Sequence, residues 1–261
     1  MTLQSFKYRV IPGMYPKGKI RLSGSKHVAL RCLVASLLTD KRVEIDNFPH
    51  ELIDAQSSIA LLTSLGKVTE REGNQLIIQG KPDRSYVRGD ILSDYPRITT
   101  LMLGPLLVLS QTAIVPYPGG CKLGARPIDL HQMALERLGA TVDFDQQYVF
   151  ARRNSANLIG ARIVLPLKSN GAAECAILAS CLAIGTTVIE EAHVTPELLD
   201  FIRFLNSMGA KVTVNSSRVT VRGVEQLHGT NYRIMSEVVE GVTFDLISTL
   251  TEGNILISDF P

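Results

Sequence analysis

The 261-residue sequence contains no tryptophan, few other aromatic residues and no large excess of either charge. Aromatic side chains make up 6% of the residues, and the formal net charge is +2 at pH 7. Nucleic-acid binding usually needs a basic surface interleaved with aromatic side chains, so this composition argues against nucleic acid as the main partner. Apolar residues make up 45% of the chain, which is enough to bury a core, and a folded globular chain is expected.

Long apolar runs and paired cysteines are also missing. The apolar stretches around Cys32, Leu101 and Ala176 extend for about a dozen residues, whereas a helix that spans a bilayer needs ~20. The first residues lack the apolar core of a secretion signal, so we expect a cytoplasmic protein with no membrane partner. The four cysteines form no CxxC pair and no metal-ligand cluster is visible, so we predict no disulfide framework, no metal and no other cofactor.

A repeat of about 70 residues organises the chain. Each copy predicts a helix with apolar residues at 3.6 spacing, then a glycine suited to a left-handed C-cap, then two alternating strands joined by a polar turn. The copies are LLTSLGKVTEREGNQLIIQG (61–80), ALERLGATVDFDQQYVFARR (134–153) and FLNSMGAKVTVNSSRVTVRG (204–223). Their cap glycines are Gly66, Gly139 and Gly209, which lie 73 and 70 residues apart.

A second matching half precedes each copy, in which a helical apolar run leads into a β-rich strand. Each unit therefore predicts the order strand, helix, strand, helix, strand, strand, and we predict three compact βαβαββ modules in an α/β chain. A fourth unit begins near Tyr232 and stops after one helix and one strand, which leaves an apolar face uncovered. This unit is either part of a larger, truncated module or a short unit that caps the array.

The segment PYPGGCKLGARPIDLH, from Pro116 to His131, carries the most chemical information. Its glycines and prolines predict a movable loop, and Pro127 suits the first turn of the helix that follows. Backbone amides at a helix start favour an anion, and Arg126 adds a permanently charged donor, so we expect a phosphate or phosphosugar site. Lys122 and Arg126 flank Cys121, and nearby cations activate a thiol for catalysis. The alternative is that Cys121 is merely an exposed loop cysteine.

This segment resembles the cysteine loop of the UDP-N-acetylglucosamine enolpyruvyl transferase (1-carboxyvinyltransferase) family. The similarity extends to GKIRLSGSKHVAL near the start, LGPL after Arg97, the LGATV module boundary and GTTVIEEA at 185–192. It covers nearly the whole chain, but only about the first three-fifths of the family's usual length. The resemblance implies an inside-out barrel of βαβαββ modules, with three complete modules and a half module. The implied domains are a segment of the partner domain (1–20), the cysteine-loop domain (21–230) and the truncated start of the second domain (231–261).

The resemblance implies transfer of the enolpyruvyl group of phosphoenolpyruvate to the 3-hydroxyl of UDP-N-acetylglucosamine, with release of phosphate, in peptidoglycan precursor synthesis. Catalytic roles are implied for Cys121, Lys26 and Arg126, with Cys121 as proton donor, and phosphoenolpyruvate contacts for Lys26, His27 and Arg126. The residues implied for the nucleotide sugar are Arg97, Arg126, Pro127, Ile128, Asp129, Leu130, His131, Lys168, Ser169 and Asn170, and Gly171 also fits the pattern. The implied partners are the two substrates and a second chain or further domain that completes the cleft.

Several positions depart from the family pattern. His27 stands where asparagine is usual, Val238 where arginine is expected, and Leu167 where a nucleotide-binding lysine is usual, although Lys168 can substitute for it. Arg31 is similar to the arginine that grips substrate in the shikimate-pathway branch of the family, or it is a solvated helix residue. These departures leave open a paralogue that uses another nucleotide or sugar phosphate as acceptor. A chain that only binds a nucleotide sugar, without catalysis, is the alternative from a different class.

Overall fold

A computed structural model of the chain describes residues 15–87, 89–91, 96–119 and 127–261. The helices in these ranges are α1 (Lys26–Ala35), α2 (Ile53–Ser64), α3 (Thr99–Leu109), α4 (Asp129–Arg137), α5 (Asn170–Ser180), α6 (Pro196–Ser207) and α7 (Val238–Leu250). The strands are β1 (Lys17–Arg21), β2 (Val43–Asp46), β3 (Val68–Glu72), β4 (Gln75–Gln79), β5 (Thr112–Pro116), β6 (Ala140–Phe144), β7 (Tyr148–Arg153), β8 (Arg162–Val164), β9 (Thr186–Glu190), β10 (Lys211–Asn215), β11 (Arg218–Arg222), β12 (Thr230–Arg233) and β13 (Asn254–Ser258).

The chain divides into two compact units by its internal contacts. The larger unit is Gly24–Met235, and the smaller unit combines Met1–Ser23 with Ser236–Pro261. In the smaller unit β1 and β13 pair in parallel, with Lys19 opposite Leu256, and α7 packs against β13. The domain boundaries 1–20, 21–230 and 231–261 stay a prediction.

Three sheets built on one plan form the larger unit. Their strand orders are β12-β2-β4-β3, β5-β7-β6 and β8-β9-β11-β10. In each sheet the last two strands of the module form an antiparallel hairpin, which is β3–β4, β6–β7 or β10–β11. The last strand of the hairpin also pairs antiparallel with the strand that follows the module's first helix, which is β2, β5 or β9. A parallel strand, β12 or β8, completes the first and third sheets. The predicted α/β chain of repeated modules is therefore confirmed.

The second helix of each module ends at the glycine that the repeat predicts. The φ angle is +96° at Gly66, +92° at Gly139 and +95° at Gly209, which is the left-handed region that glycine enters without steric cost. The amide of each glycine donates to the carbonyl three residues earlier at 3.0 Å, which satisfies part of the helix end. The predicted C-caps are confirmed, and they turn the chain from helix to hairpin in all three modules.

The first strand differs from the sequence prediction in two of the three modules. Strand β1, which precedes α1, pairs with β13 in the smaller unit, and β12 occupies the place beside β2. Tyr232, predicted to begin a fourth unit, therefore belongs to the first sheet. In the second module the first strand is reduced to a single bridge between Tyr86 and Ile114. Strands β12 and β2 lie 187 residues apart in the chain, so local periodicity could not reveal their pairing.

A buried carboxylate on α6 holds β12 in the first sheet. Asp200 is 5% exposed; its Oδ1 accepts a hydrogen bond from the Tyr232 hydroxyl at 2.6 Å, and its Oδ2 accepts one from the Met235 amide at 2.9 Å. Burial and the hydrogen bond to Asp200 raise the pKa of Tyr232. The third module thus fixes the strand that completes the first, and this closes the three modules into one unit.

The first helices of the three modules form the centre of the larger unit. Most residues of α1, α3 and α5 are buried, and α3 packs against α5. Gly104 lies at this helix crossing, where an added Cβ would sit 3.0 Å from the Ala179 nitrogen and 3.1 Å from the Cys175 oxygen. The N-terminal ends of α1 and α5 both lie in the walls of one cavity.

Candidate functional site

Two cavities in the larger unit share the lining residues Arg97, His131, Asn170 and Gly171. The central cavity has a volume of about 650 Å³, and the side cavity has a volume of about 360 Å³. Further lining residues of the central cavity include Lys26, His27, Arg31, Asp54, Thr100 and Glu174. The side cavity adds Lys168, Ser169 and His193. The structure therefore brings together most of the predicted site residues that it describes.

Lys26 lies in the first turn of α1, where the helix begins after Ser25. Its Nζ donates a hydrogen bond to Asp54 Oδ2 at 3.1 Å, and both side chains are partly exposed to the cavity. Asp54 belongs to the first turn of α2 and was missed by the sequence analysis, because a lone aspartate in a helix start usually serves only the helix dipole. A helix start with a lysine is a site at which an anion binds favourably.

The beginning of α5 supplies the wall that both cavities share. The Ser169 hydroxyl caps this helix and accepts a hydrogen bond from the Ala172 amide at 3.3 Å. Asn170 Oδ1 lies 2.9 Å from His193 Nδ1, so a histidine that the sequence analysis missed orients a predicted ligand-binding residue. Lys168 is the residue before this cap, and together these groups form a polar, cationic pocket at a helix start.

Arg97, just before α3, contacts the stretch 127–131 that is predicted to bind the nucleotide sugar. Its Nη2 donates a hydrogen bond to the Pro127 carbonyl at 2.7 Å. Pro127 lies before Ile128, the N-cap of α4, so the prediction that it occupies the first turn of the helix is wrong by two residues. The Ile128 side chain is buried, whereas Asp129 is exposed and Leu130 is partly buried.

His131 is the most enclosed titratable group of the site. It is 3% exposed, and neither ring nitrogen has a hydrogen-bond partner among the described residues. The pKa of His131 is lowered to about 4, mainly by burial and also by the Arg97 charge, while the Asp129 charge opposes this shift. A Cβ added at Gly171 would lie 2.7 Å from its Nε2, so the absence of a side chain there makes room for the imidazole. The ring is neutral at pH 7 and can donate or accept one hydrogen bond.

Arg31 forms a buried ion pair with Glu174. Arg31 Nη2 lies 2.7 Å from Glu174 Oε1, and the side chains are 9% and 3% exposed. The alternative that Arg31 is a solvated helix residue is therefore wrong. Glu174 is not among the predicted site residues, although its place within the apolar run ECAILASC is a signal, because an ionised residue on a buried helix face needs a partner.

Several predicted residues lie elsewhere. Cys121 and Arg126 fall in 120–126, outside the described residues. Leu167 is exposed next to Lys168 and does not line either cavity. Val238 opens α7 in the smaller unit, after the N-cap residue Glu237.

The remaining cysteines in the described ranges are Cys32, Cys175 and Cys181, and all three are buried free thiols, as the apolar sequence around them predicts. Within the same ranges there is no group of three or more histidine, cysteine, aspartate or glutamate residues that could hold a metal ion. No helix of the described chain is long and apolar enough to cross a membrane.

Solved structures resemble this fold closely. The enolpyruvyl transferase NikO from Streptomyces tendae matches with a TM-score of 0.76 and 19% identity, over 89% of this chain and 55% of that one. An EPSP synthase from Acinetobacter baumannii matches with a TM-score of 0.77 and 20% identity, over 96% of this chain and 58% of that one. The predicted enolpyruvyl transferase fold is confirmed by these matches.

Curated relatives are more similar in sequence. UDP-N-acetylglucosamine 1-carboxyvinyltransferase of Pelagibacter ubique (strain HTCC1062) is 38% identical over 93% of this chain and 58% of its own length. The enzyme of the same name from Oleidesulfovibrio alaskensis (strain ATCC BAA-1058 / DSM 17464 / G20) is 40% identical over 97% of this chain and 60% of its own length. The chain thus spans about three-fifths of the length of the curated relatives it matches.

The family model of EPSP synthase (3-phosphoshikimate 1-carboxyvinyltransferase) matches residues 12–261, almost the whole chain. The repeated modules and the solved structures give the same fold, and the curated relatives are carboxyvinyltransferases by name. The chain belongs to the EPSP synthase family of enolpyruvyl transferases.

Proposed function

We propose that this chain takes part in transfer of the enolpyruvyl group of phosphoenolpyruvate to the 3-hydroxyl of UDP-N-acetylglucosamine, with release of phosphate, in peptidoglycan precursor synthesis. The observation that carries the proposal is the placement of cationic groups and two helix starts around adjoining cavities, in a chain whose relatives at 38–40% identity bear that name. The proposed location is the cytoplasm, and the buried free thiols fit a reducing compartment.

Phosphoenolpyruvate carries a phosphate and a carboxylate, so its site needs fixed positive charge. Lys26 and the first amides of α1 supply such charge at the central cavity, and Asp54 holds the lysine ammonium in place. Arg126 is proposed to add a second cation and His27 a hydrogen bond, as the family resemblance implies. Excluding water around these groups would strengthen their interaction with the developing charge.

The side cavity suits the diphosphate of a nucleotide sugar. Lys168, Arg97 and the start of α5 present a cationic side chain, a guanidinium and backbone amides to one pocket. Ser169 and Asn170 complete this proposed contact surface. The stretch from Pro127 to His131 is proposed to bind the rest of the nucleotide, and Arg97 anchors that stretch through the Pro127 carbonyl.

The proposed chemistry has an addition step and an elimination step. Cys121 donates a proton to the methylene carbon of phosphoenolpyruvate, and the acceptor hydroxyl oxygen bonds to the carbon that carries the phosphate. A base from the further domain or second chain that completes the cleft accepts the hydroxyl proton. The tetrahedral intermediate then loses phosphate and a methyl proton, which restores the double bond. Lys26 and Arg126 stabilise the negative charge of the phosphate as it leaves.

A paralogue that uses a different nucleotide or sugar phosphate is the second candidate. His27 and Arg31 depart from the pattern of the cell-wall enzymes, and both line the central cavity, where they can alter acceptor choice.

The test is phosphate release from phosphoenolpyruvate by the purified 261-residue chain, with and without UDP-N-acetylglucosamine and with a panel of other sugar phosphates. We expect release that depends on the acceptor if a second copy of the chain supplies the base that completes the cleft. Cys121→Ser and Lys26→Ala should each lower the rate by about 100-fold or more, because a proton donor and a phosphate cation are lost. The control Lys211→Ala removes an exposed strand lysine and should leave the rate unchanged.

Acceptor-dependent release with another sugar phosphate alone would favour the paralogue. Measurable binding of UDP-N-acetylglucosamine without release by any acceptor would contradict catalysis by this chain alone. It would favour the non-catalytic ligand-binding alternative or a cysteine-loop domain whose chemistry needs residues that this chain does not contain.

A further inference from the structure

The Arg31–Glu174 pair lines the central cavity between the two helix starts of the proposed substrate site. Arg31 lies five residues beyond Lys26 on α1, and Glu174 lies four residues beyond Asn170 on α5. The residues are 7% and 3% exposed, so the pair belongs to the buried part of the cavity wall. It connects the helix that carries the proposed phosphoenolpyruvate contact with the helix that carries the proposed nucleotide contacts.

The hydrogen bonding of this pair is incomplete. Arg31 Nη1 is buried and has no acceptor among the described residues. Glu174 Oε1 lies 2.7 Å from Arg31 Nη2, yet it accepts no well-aligned hydrogen bond from any described group. Buried polar atoms are nearly always satisfied in folded proteins, and a half-satisfied buried ion pair is costly. Nη1 is therefore an open donor, and Oε1, which Arg31 Nη2 contacts at 2.7 Å, keeps a second lone pair for another donor.

The charge of this wall differs from that of the rest of the site. Glu174 balances Arg31 at contact distance, so the wall carries no net charge, whereas Arg97 and Lys168 give the side cavity a cationic character. A carboxylate or phosphate placed at the wall would meet Glu174 at close range, and like charges repel strongly where water is excluded. A hydroxyl or an amide would meet no such repulsion and can both accept from Arg31 and donate to Glu174.

We propose that the Arg31–Glu174 pair determines acceptor specificity by binding an uncharged hydroxyl or amide group of the acceptor and by disfavouring an anionic group at that position. The proposal rests on the proposed function and adds the chemical class of the group bound. The two open atoms are covered by neighbouring atoms, so the group reaches them through a rotation of the terminal side-chain bonds of Arg31 or Glu174. The sugar moiety of UDP-N-acetylglucosamine offers hydroxyl and amide groups of this class, whereas 3-phosphoshikimate presents a carboxylate.

The test compares the dissociation constants of UDP-N-acetylglucosamine and 3-phosphoshikimate for the full 261-residue chain by calorimetry. In Glu174→Gln the Arg31 cation loses its counter-charge with little change in shape. We expect the preference for UDP-N-acetylglucosamine over 3-phosphoshikimate to fall by about 10- to 100-fold, which is typical of a hydrogen bond to a charged group. The matched control is Glu190→Gln, which removes a carboxylate from the Arg162 and Arg218 pairs on the outer surface and should keep the wild-type preference.

A double variant, Arg31→Met with Glu174→Leu, keeps the test valid if Glu174→Gln does not fold, because replacing a whole buried pair with apolar residues is often tolerated. It should fold by circular dichroism and bind UDP-N-acetylglucosamine about 10-fold or more weakly. A folded variant of either kind that keeps the wild-type preference and affinity would overturn the specificity role. A wild-type chain that binds neither probe would instead overturn the proposed function, and this inference with it.

Discussion

Helices α5 and α7 have nearly the same apolar content and opposite burial. Each carries seven apolar side chains, in eleven residues for α5 and thirteen for α7. Nine consecutive residues of α5 are buried, from Ala172 to Ser180, whereas Gly241 is the one buried residue of α7. The apolar content of a helix therefore indicates that it forms, and its neighbours decide whether it is buried.

The exposed side of α7 is a continuous stripe. Val239, Val242, Leu246 and Leu250 recur at helical spacing and are 68%, 43%, 54% and 82% exposed. On α5 the corresponding kind of surface packs against α3 and α4. The two helices thus provide a matched pair for testing what burial contributes, since the same substitution can be placed on each.

The largest expected difference comes from leucine truncation. Leu178→Ala on α5 should destabilise the chain by about 2–5 kcal/mol, because it removes a fully buried side chain and leaves a cavity. Leu250→Ala on α7 should change stability by less than about 0.5 kcal/mol, because its side chain is already in water. Urea unfolding of both variants measures the difference. Similar losses would mean that the α7 stripe is covered in solution.

Low pH should lower the stability of the chain through His131, which packs against Gly171 at the start of α5. Helix α7 contains no histidine and should contribute no such effect. The pKa of His131 is about 4 in the fold and 6.5 as the ordinary value, so the unfolded chain binds more protons between these pH values. Stability is therefore full above pH 6.5 and should fall by about 3 kcal/mol as pH drops to 4.

His131→Gln should remove this component from the pH dependence of urea unfolding, and the exposed His228→Gln should not. Equal acid sensitivity of the wild type and His131→Gln would show that His131 is not buried as a neutral ring.

A glycine-to-alanine substitution should lower the free energy of unfolding by about 2 kcal/mol more at the buried α3–α5 crossing than in the exposed helix α7. At Gly104 the new Cβ would meet backbone atoms of α5 at 3.0 and 3.1 Å, which cannot move aside, so destabilisation is expected despite the better helix propensity. At Gly241 in α7 it would meet the Phe260 ring, which is 50% exposed and can rotate away, and the tip of the buried Leu22 side chain at 3.0 Å. Thermal unfolding of the two variants measures this; a more stable Gly104→Ala would show that α3 and α5 are more loosely packed than described.

The smallest expected difference concerns the helix caps. Ser169→Ala removes the side-chain acceptor for the Ala172 amide and should cost about 1 kcal/mol. Glu237→Ala removes a cap contact of 3.4 Å at a more exposed helix start, and loss of this cap should cost less than loss of the Ser169 cap. Chemical unfolding without ligand compares them, and a larger loss for Glu237→Ala would reverse the ranking.

The sequence by itself determined the modular fold and much of the candidate site. Gly66, Gly139 and Gly209 marked the helix ends because a left-handed backbone is a local property that glycine alone enters freely. Likewise Lys26 and the stretch near Arg97 were found by local motif, and the structure places both in the central cavity. The roles predicted for Cys121 and Arg126 stay predictions.

Only the tertiary structure decided which distant residues meet. It placed β12 beside β2 and paired Arg31 with Glu174. It also brought Asp54 to Lys26, and His193 to Asn170. It also buried α5 and left α7 exposed. The physical reason is that periodicity, caps and turns depend on neighbouring residues, whereas strand pairing, ion pairs and burial depend on surfaces contributed by remote parts of the chain.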